Sequence, residues 1–93
     1  VEDKELLFIT VIGKDKMGIV ANVAQLLYKC MINIEDITQK IMSGYFVMTM
    51  LVDMRSSPYP LEHINEELEK VGNGMGLKIQ VQHENIFKAM HRI

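Results

Sequence analysis

Two apolar runs of strand length, residues 5–12 and 45–54, carry hydrophobic side chains on nearly both faces. They limit the folds open to this chain. In the first, Leu7, Ile9 and Val11 alternate with Phe8, Thr10 and Ile12. In the second, Tyr45, Val47, Thr49, Leu51 and Asp53 alternate with Phe46, Met48, Met50, Val52 and Met54. A strand with one solvated face alternates more cleanly than either run. Both are therefore expected at the centre of a sheet, side by side and covered on two sides.

The segments between them set the topology. Residues 18–31 place Ile19, Val23, Leu26, Leu27 and Cys30 at helical spacing, with Asn22, Gln25 and Lys29 on the opposite side. Residues 32–43 read as a second strand. Its apolar parity, set by Ile32 and Ile34, breaks at Ile37, which predicts a bulge near Glu35-Asp36. Ser43-Gly44 reads as a tight hairpin turn. A second helix starts near Pro60, with Leu61, Ile64, Leu68 and Val71 as its stripe and a Glu66–Lys70 pair on its wet face. It ends within residues 72–76, which hold three glycines. In residues 77–83, Leu77, Ile79 and Val81 alternate with Lys78, Gln80 and Gln82, a strand with one wet face. The tail, 84–93, carries Ile86, Phe87, Met90 and Ile93 at the spacing of a short amphipathic helix.

The order β-α-β-β-α-β predicts an α+β ferredoxin-like plait. Its four-stranded antiparallel sheet carries two helices on one face, and a short C-terminal helix follows. The expectation is one domain over 1–93, with its core in 5–83 and the tail in 84–93. Helices on one face leave the other uncovered. A second apolar face, drawn from Phe8 and Ile12 with Phe46, Met48 and Met50, then needs the tail or another subunit. The sequence thus argues for a homodimer or higher oligomer.

Composition narrows the function. The chain has 93 residues, 48% hydrophobic and 24% charged, with net charge −2. That balance fits a soluble globular domain and gives no field to draw in nucleic acid or an anionic membrane. The start, Val1-Glu2-Asp3-Lys4-Glu5, shows no signal-peptide pattern. Cys30 is the single cysteine; it lies on the apolar stripe of the first helix and fits a reducing cytoplasm. His63, His83 and His91 lack metal-ligand spacing, so no metal or other cofactor is expected. No Ser/His/Asp or Cys/His arrangement is defensible from spacing, and a non-enzyme is expected. Glu35-Asp36 has the chemistry to hold a cation or amine, or is simply a polar bulge.

One junction carries chemistry. Gly13-Lys14-Asp15-Lys16-Met17-Gly18-Ile19-Val20 runs from strand to helix, with glycines bracketing the turn. A helix N-terminus exposes unpaired N–H groups and suits a small anion or carboxylate. Asp15 is placed to cap the first turn. Gly13-x4-Gly18 has the glycine spacing of a nucleotide P-loop, but Ile19-Val20 replace the Lys and Ser/Thr that such a loop requires. The aromatic-rich glycine motif and basic balance of an RNA-recognition domain are missing too.

On these residues the chain resembles an ACT domain. The pattern D-x-x-G-I-V-A-x-V-A, here Asp15 to Ala24, is followed by x-N-I-x-D, here Ile32 to Asp36. The tail 85–93 is similar to that of short, stand-alone ACT proteins of bacteria and archaea. The chain also resembles the ACT repeats of the glycine cleavage system repressor, which has two repeats where this chain has one. The resemblance implies a regulatory domain that senses a small-molecule effector, usually an amino acid, at a homodimer interface. The effector lies between the strand-one/helix-one loop of one copy and the start of strand two of another. By position, Asp15 and Gly18 match the loop part and Asn33 the polar residue after helix one. Gly13, Lys14, Lys16, Met17, Ile19 and Val20 adjoin them. The family often has Asn or His where this chain has Asp15 and Gly13. Asp15 would repel a ligand carboxylate and prefer its amine. The output would pass to a regulated protein partner. The alternative is a dimerising interaction module that binds no metabolite.

Overall fold

The side-chain pattern of the two central strands is resolved by their register. In the computed structural model, which describes residues 3–85, six elements follow in order. They are β1 (Leu6–Lys14), α1 (Ile19–Lys29), β2 (Asn33–Met42), β3 (Tyr45–Asp53), α2 (Leu61–Met75) and β4 (Leu77–His83). The sheet order is β2-β3-β1-β4 and every neighbouring pair is antiparallel. This is the ferredoxin-like plait, with β1 and β3 central. Glu84 and Asn85 follow β4 in helical conformation; the rest of the expected C-terminal helix, residues 86–93, lies outside the described residues.

Leu7, Ile9 and Val11 of β1 and Met48, Met50 and Val52 of β3 are fully buried beneath the helices. Val23 and Leu27 of α1, and Ile64 and Leu68 of α2, close over them and are equally inaccessible. Burying each such side chain stabilises the fold by about 1.5–3 kcal/mol. Phe46, Met48 and Met50 therefore face the helices, which corrects the expectation that they share the open face with Phe8 and Ile12. The register sets Phe8 opposite Leu51, Thr10 opposite Thr49 and Ile12 opposite Val47. A strand apolar on both sides carries no mark of which side turns inward, so its partner decides. The open face that results is mixed: Thr10 and Thr49 with Thr38, and Ile12 and Val47 flanked by Lys78 and Lys40.

The bulge falls where the parity breaks. The β2–β3 register shifts between Ile34 and Asp36, with Ile34 opposite Val52 and Ile37 opposite Met50. Glu35 is the extra residue. Three positions apart, Ile34 and Ile37 would lie on opposite faces of a regular strand; the bulge turns both toward the helices. Ser43 (φ 51°) and Gly44 (φ 82°) make the two-residue turn with both φ positive that a hairpin prefers.

Both helices end on left-handed residues. The periodicity suggested α1 to Met31, yet the helix stops at Lys29. Met31 (φ 60°) reverses the chain, and the Ile32 and Met31 N–H groups donate to the Leu27 and Tyr28 carbonyls. Gly76 (φ 69°) does the same for α2. The expected Glu66–Lys70 pair is replaced by Lys70 with Glu67, Nζ to Oε2 at 3.1 Å. His63 stacks on Tyr59 with ring centroids 4.5 Å apart.

Candidate functional site

The strand-to-helix junction forms one end of the molecule. β1 continues through Gly13 and Lys14, so the loop proper is residues 15–18. The Asp15 N–H donates to the Gly44 carbonyl at 2.9 Å, which ties the loop to the β2–β3 turn. A Cβ on Gly13 would lie 2.6 Å from Leu77 Cδ2 and 3.1 Å from the Gly76 oxygen. Packing against β4 thus accounts for that glycine. Lys16 reaches the α2–β4 junction, its Nζ about 4 Å from where a Gly76 Cβ would sit. Gly18 is the α1 N-cap with φ 87°, open to solvent apart from Asn22 Nδ2. Met17 is 96% exposed, Ile19 is buried in the core and Val20 is half-buried.

Asp15 does not cap the helix. No side chain caps α1, because Gly18 holds the cap position. Asp15 sits a full turn earlier with its backbone drawn to Gly44. The N–H groups of Met17, Gly18 and Ile19, at the start of α1, take no backbone partner among the described residues. Lys14 and Lys16 add positive charge there.

Asn33 lies at the other end of the sheet. It pairs with Asp53, which pairs with Leu6, whereas Lys14 pairs with Tyr45. Within one chain the loop and Asn33 are separated by roughly the length of β1, about 26 Å. The sequence-matched residues therefore fall into two half-sites. Around Asn33 the chain gathers charge. Asn33 Nδ2 donates to Glu35 Oε2 at 2.7 Å, and Lys4 Nζ bonds Glu35 Oε1. Asp53 is 5% exposed; its Oδ1 accepts the Glu5 and Arg55 N–H groups at 3.1 and 3.0 Å, and Arg55 Nε meets Oδ2 at 3.1 Å.

These contacts move pKa values. The hydrogen bonds from Lys4 and Asn33 hold the Glu35 carboxyl below the usual glutamate value, and Glu35 raises Lys4 in turn. Burial pushes the Asp53 carboxyl up. The Arg55 and Glu5 N–H groups and the Arg55 charge outweigh it and hold the group below the ordinary aspartate value. Burial pushes the Cys30 thiol up, away from the nucleophilic thiolate.

The β2 edge is bare. All of β2 except Ile34 is exposed, including Ile37, Ile41 and Met42. On the side of α1 turned away from α2, Val20, Ala24, Tyr28 and Met31 continue an apolar surface, with Tyr28 82% exposed. An uncovered edge strand invites a further strand. Periodicity could have exposed this flank: Val20, Ala24 and Tyr28 recur at four-residue spacing beside the core stripe. The Lys4–Glu35 tie left no signal in the sequence.

A groove of about 400 Å³ separates α1 from α2, lined by Asn22, Leu26, Lys29, Glu67, Val71 and Met75 among others. None of the ligand-binding residues expected from the sequence lines it. Among the described residues no group of His, Cys, Asp and Glu could hold a metal ion, and no helix is long and apolar enough to cross a membrane.

An ACT domain family model matches residues 5–82. The chain belongs to the ACT domain family. A UPF0237 protein of Methanococcus maripaludis is 52% identical to it over 89 residues, covering 96% of this chain and 99% of that protein. The solved ACT domain protein of Streptococcus pneumoniae superposes with TM-score 0.81 at 35% identity, over 96% of this chain and all of that one. A structure assigned as a glycine cleavage system transcriptional repressor gives TM-score 0.76 at 25% identity, over 86% of this chain and 46% of that one. ACT domains are in general regulatory and ligand-binding, and often take amino acids.

Proposed function

We propose that this ACT domain is a regulatory sensor of an amino acid, which it binds between two copies of itself. The observation that carries the reading is the separation of the loop from Asn33 together with the bare β2 edge between them. A two-fold antiparallel pairing of β2 with its counterpart sets the start of one strand beside the end of the other. The end of β2 leads into the turn that holds Asp15. The loop of one copy and Asn33 of the other then border one cleft. The same pairing covers Ile37 and Ile41 and brings the Tyr28 flanks together.

In that cleft the open N–H groups of Met17 to Ile19 take the carboxylate. Asp15 or Asn33 takes the ammonium, and the wall formed by Gly13, Lys14, Lys16, Met17, Gly18 and Val20 selects the side chain. Binding there favours the assembled state, because a ligand shifts an equilibrium by its differential affinity. The domain acts in the cytoplasm on a protein partner, without cofactor or catalysis of its own.

The test is a thermal-shift screen against the twenty amino acids, with sizing in parallel. A ligand at 100 times its Kd adds about 2.7 kcal/mol, a shift of roughly 10–20 degrees for a domain this small. Asp15→Ala and Asn33→Ala should each weaken binding with the fold intact. Unchanged affinity in both removes the assigned site. The apolar β2 edge also fits a pure interaction module, and a stable dimer with a flat screen would establish that reading instead.

A further inference from the structure

We propose that Glu35, held by Lys4, is a positioning residue that fixes the polarity with which the site takes its ligand: it turns the Asn33 carbonyl outward, so that the start of β2 receives an ammonium group. The inference rests on the amino-acid reading above and decides what that reading leaves open between Asp15 and Asn33.

The bulge sets the geometry of this contact. Glu35 is the extra residue of the β2–β3 ladder, freed from the pleat, and its carboxylate has a donor on each oxygen: Lys4 Nζ on Oε1 and Asn33 Nδ2 on Oε2. An ionised carboxylate accepts and cannot donate. Lys4 keeps it ionised. The Asn33 amide therefore has one workable orientation, with nitrogen toward Glu35 and oxygen away from it. That oxygen takes no hydrogen bond among the described residues. What β2 presents to a ligand is an oriented acceptor.

The surrounding charge has the matching sign. Glu5, Glu35, Asp36 and Asp53 stand at this end of the sheet with Lys4, Arg55 and His83, so carboxylates outnumber the lysine and arginine. The loop end has the opposite character: open N–H groups with Lys14 and Lys16 beside them. A zwitterion bridging two copies would thus lie with its ammonium on Asn33 of one copy and its carboxylate on the loop of the other. Asn33 is then the directional acceptor for the amine, and Asp15, facing it across the cleft, adds only its negative charge to that contact.

The experiment uses the full chain. The twenty L-amino acids are screened by thermal shift. The tightest binder and its 2-hydroxy acid counterpart are then titrated by calorimetry into wild type, Glu35→Ala, Lys4→Arg and Lys4→Ala. Wild type should prefer the amino acid over the hydroxy acid. Glu35→Ala frees the Asn33 amide to flip, so amino-acid affinity should fall about tenfold and the preference should shrink by a similar factor. Lys4→Arg keeps a cation on Glu35 and should retain the wild-type preference, whereas Lys4→Ala should lower it. An affinity loss in Glu35→Ala with the preference unchanged would mean a purely structural residue and overturn the proposal. So would a Glu35→Ala variant that binds both compounds as wild type does. If wild type binds no amino acid, the sensor reading itself fails, an outcome distinct from either of these.

Discussion

Gly13 and Gly18 bracket one loop, and their substitutions should fail for different reasons. An alanine Cβ at Gly13 meets the Gly76 oxygen and the Leu77 Cα at 3.1 and 3.2 Å, backbone atoms that cannot rotate aside. Gly13→Ala should cost about 1–3 kcal/mol by forcing β1 from β4. At Gly18 there is room for the methyl but φ is 87°, so Gly18→Ala should cost about 1–2 kcal/mol through the backbone alone. Urea unfolding reads both; a Gly18→Asn variant, tolerant of that conformation, should recover part of the second loss and a Gly13→Asn variant none of the first. Asp53 supplies a pH test. Its carboxyl titrates below its ordinary value in the folded chain, so on acidification the unfolded chain takes up its proton first. The stabilisation is complete above the unfolded pKa and disappears as pH falls through the folded one. Melts between pH 6 and roughly 3 should show wild type losing stability faster than Asp53→Asn. The pair of glycines was conspicuous in the sequence. Which of them serves packing was not, because Leu77 comes beside Gly13 only when β4 folds back.

At the scale of elements, one residue in β2 decides which faces the others show. Removing Glu35 leaves Ile34 and Ile37 directed at the helices, as a regular alternation without the bulge would have them. Deleting Thr38 turns residues 33–37 over and sends Ile34 and Ile37 to the open face. The Glu35 deletion should therefore fold with a melting temperature within a few degrees of wild type, while the Thr38 deletion should lose its cooperative transition. Circular dichroism melts distinguish them, and similar melts for both would show that the strand's parity contributes little. The bulge was legible because the apolar parity broke at Ile37. The ends of the strands and of α1 were less so. β1 runs on through Gly13 because the ladder with β3 and β4 extends that far, and Met31 ends α1 through hydrogen bonds that no periodicity displays. The inward face of β3 could not be read at all from a segment apolar on both sides.

For the whole molecule, the decisive question is whether a site is made in one chain or two. If the loop and Asn33 act together only across copies, an Asp15→Ala chain and an Asn33→Ala chain carry complementary defects. In a dimer containing one of each, one cleft joins two damaged halves and the other joins two intact ones. Equal amounts of the two variants, mixed and allowed to exchange, place half of the dimers in this form. The mixture should then bind about a quarter as much amino acid per chain as wild type, with wild-type affinity, although neither variant alone binds well. A site completed within one chain gives no recovery on mixing, because every chain retains its own defect. The exchange can be followed through the melting temperature, which should rise with protein concentration if the domain is stabilised by pairing. Ile41→Lys, which sets a charge on the β2 edge, should abolish that concentration dependence and the recovery together. Recovery that survives Ile41→Lys would keep the shared site and move the interface off β2.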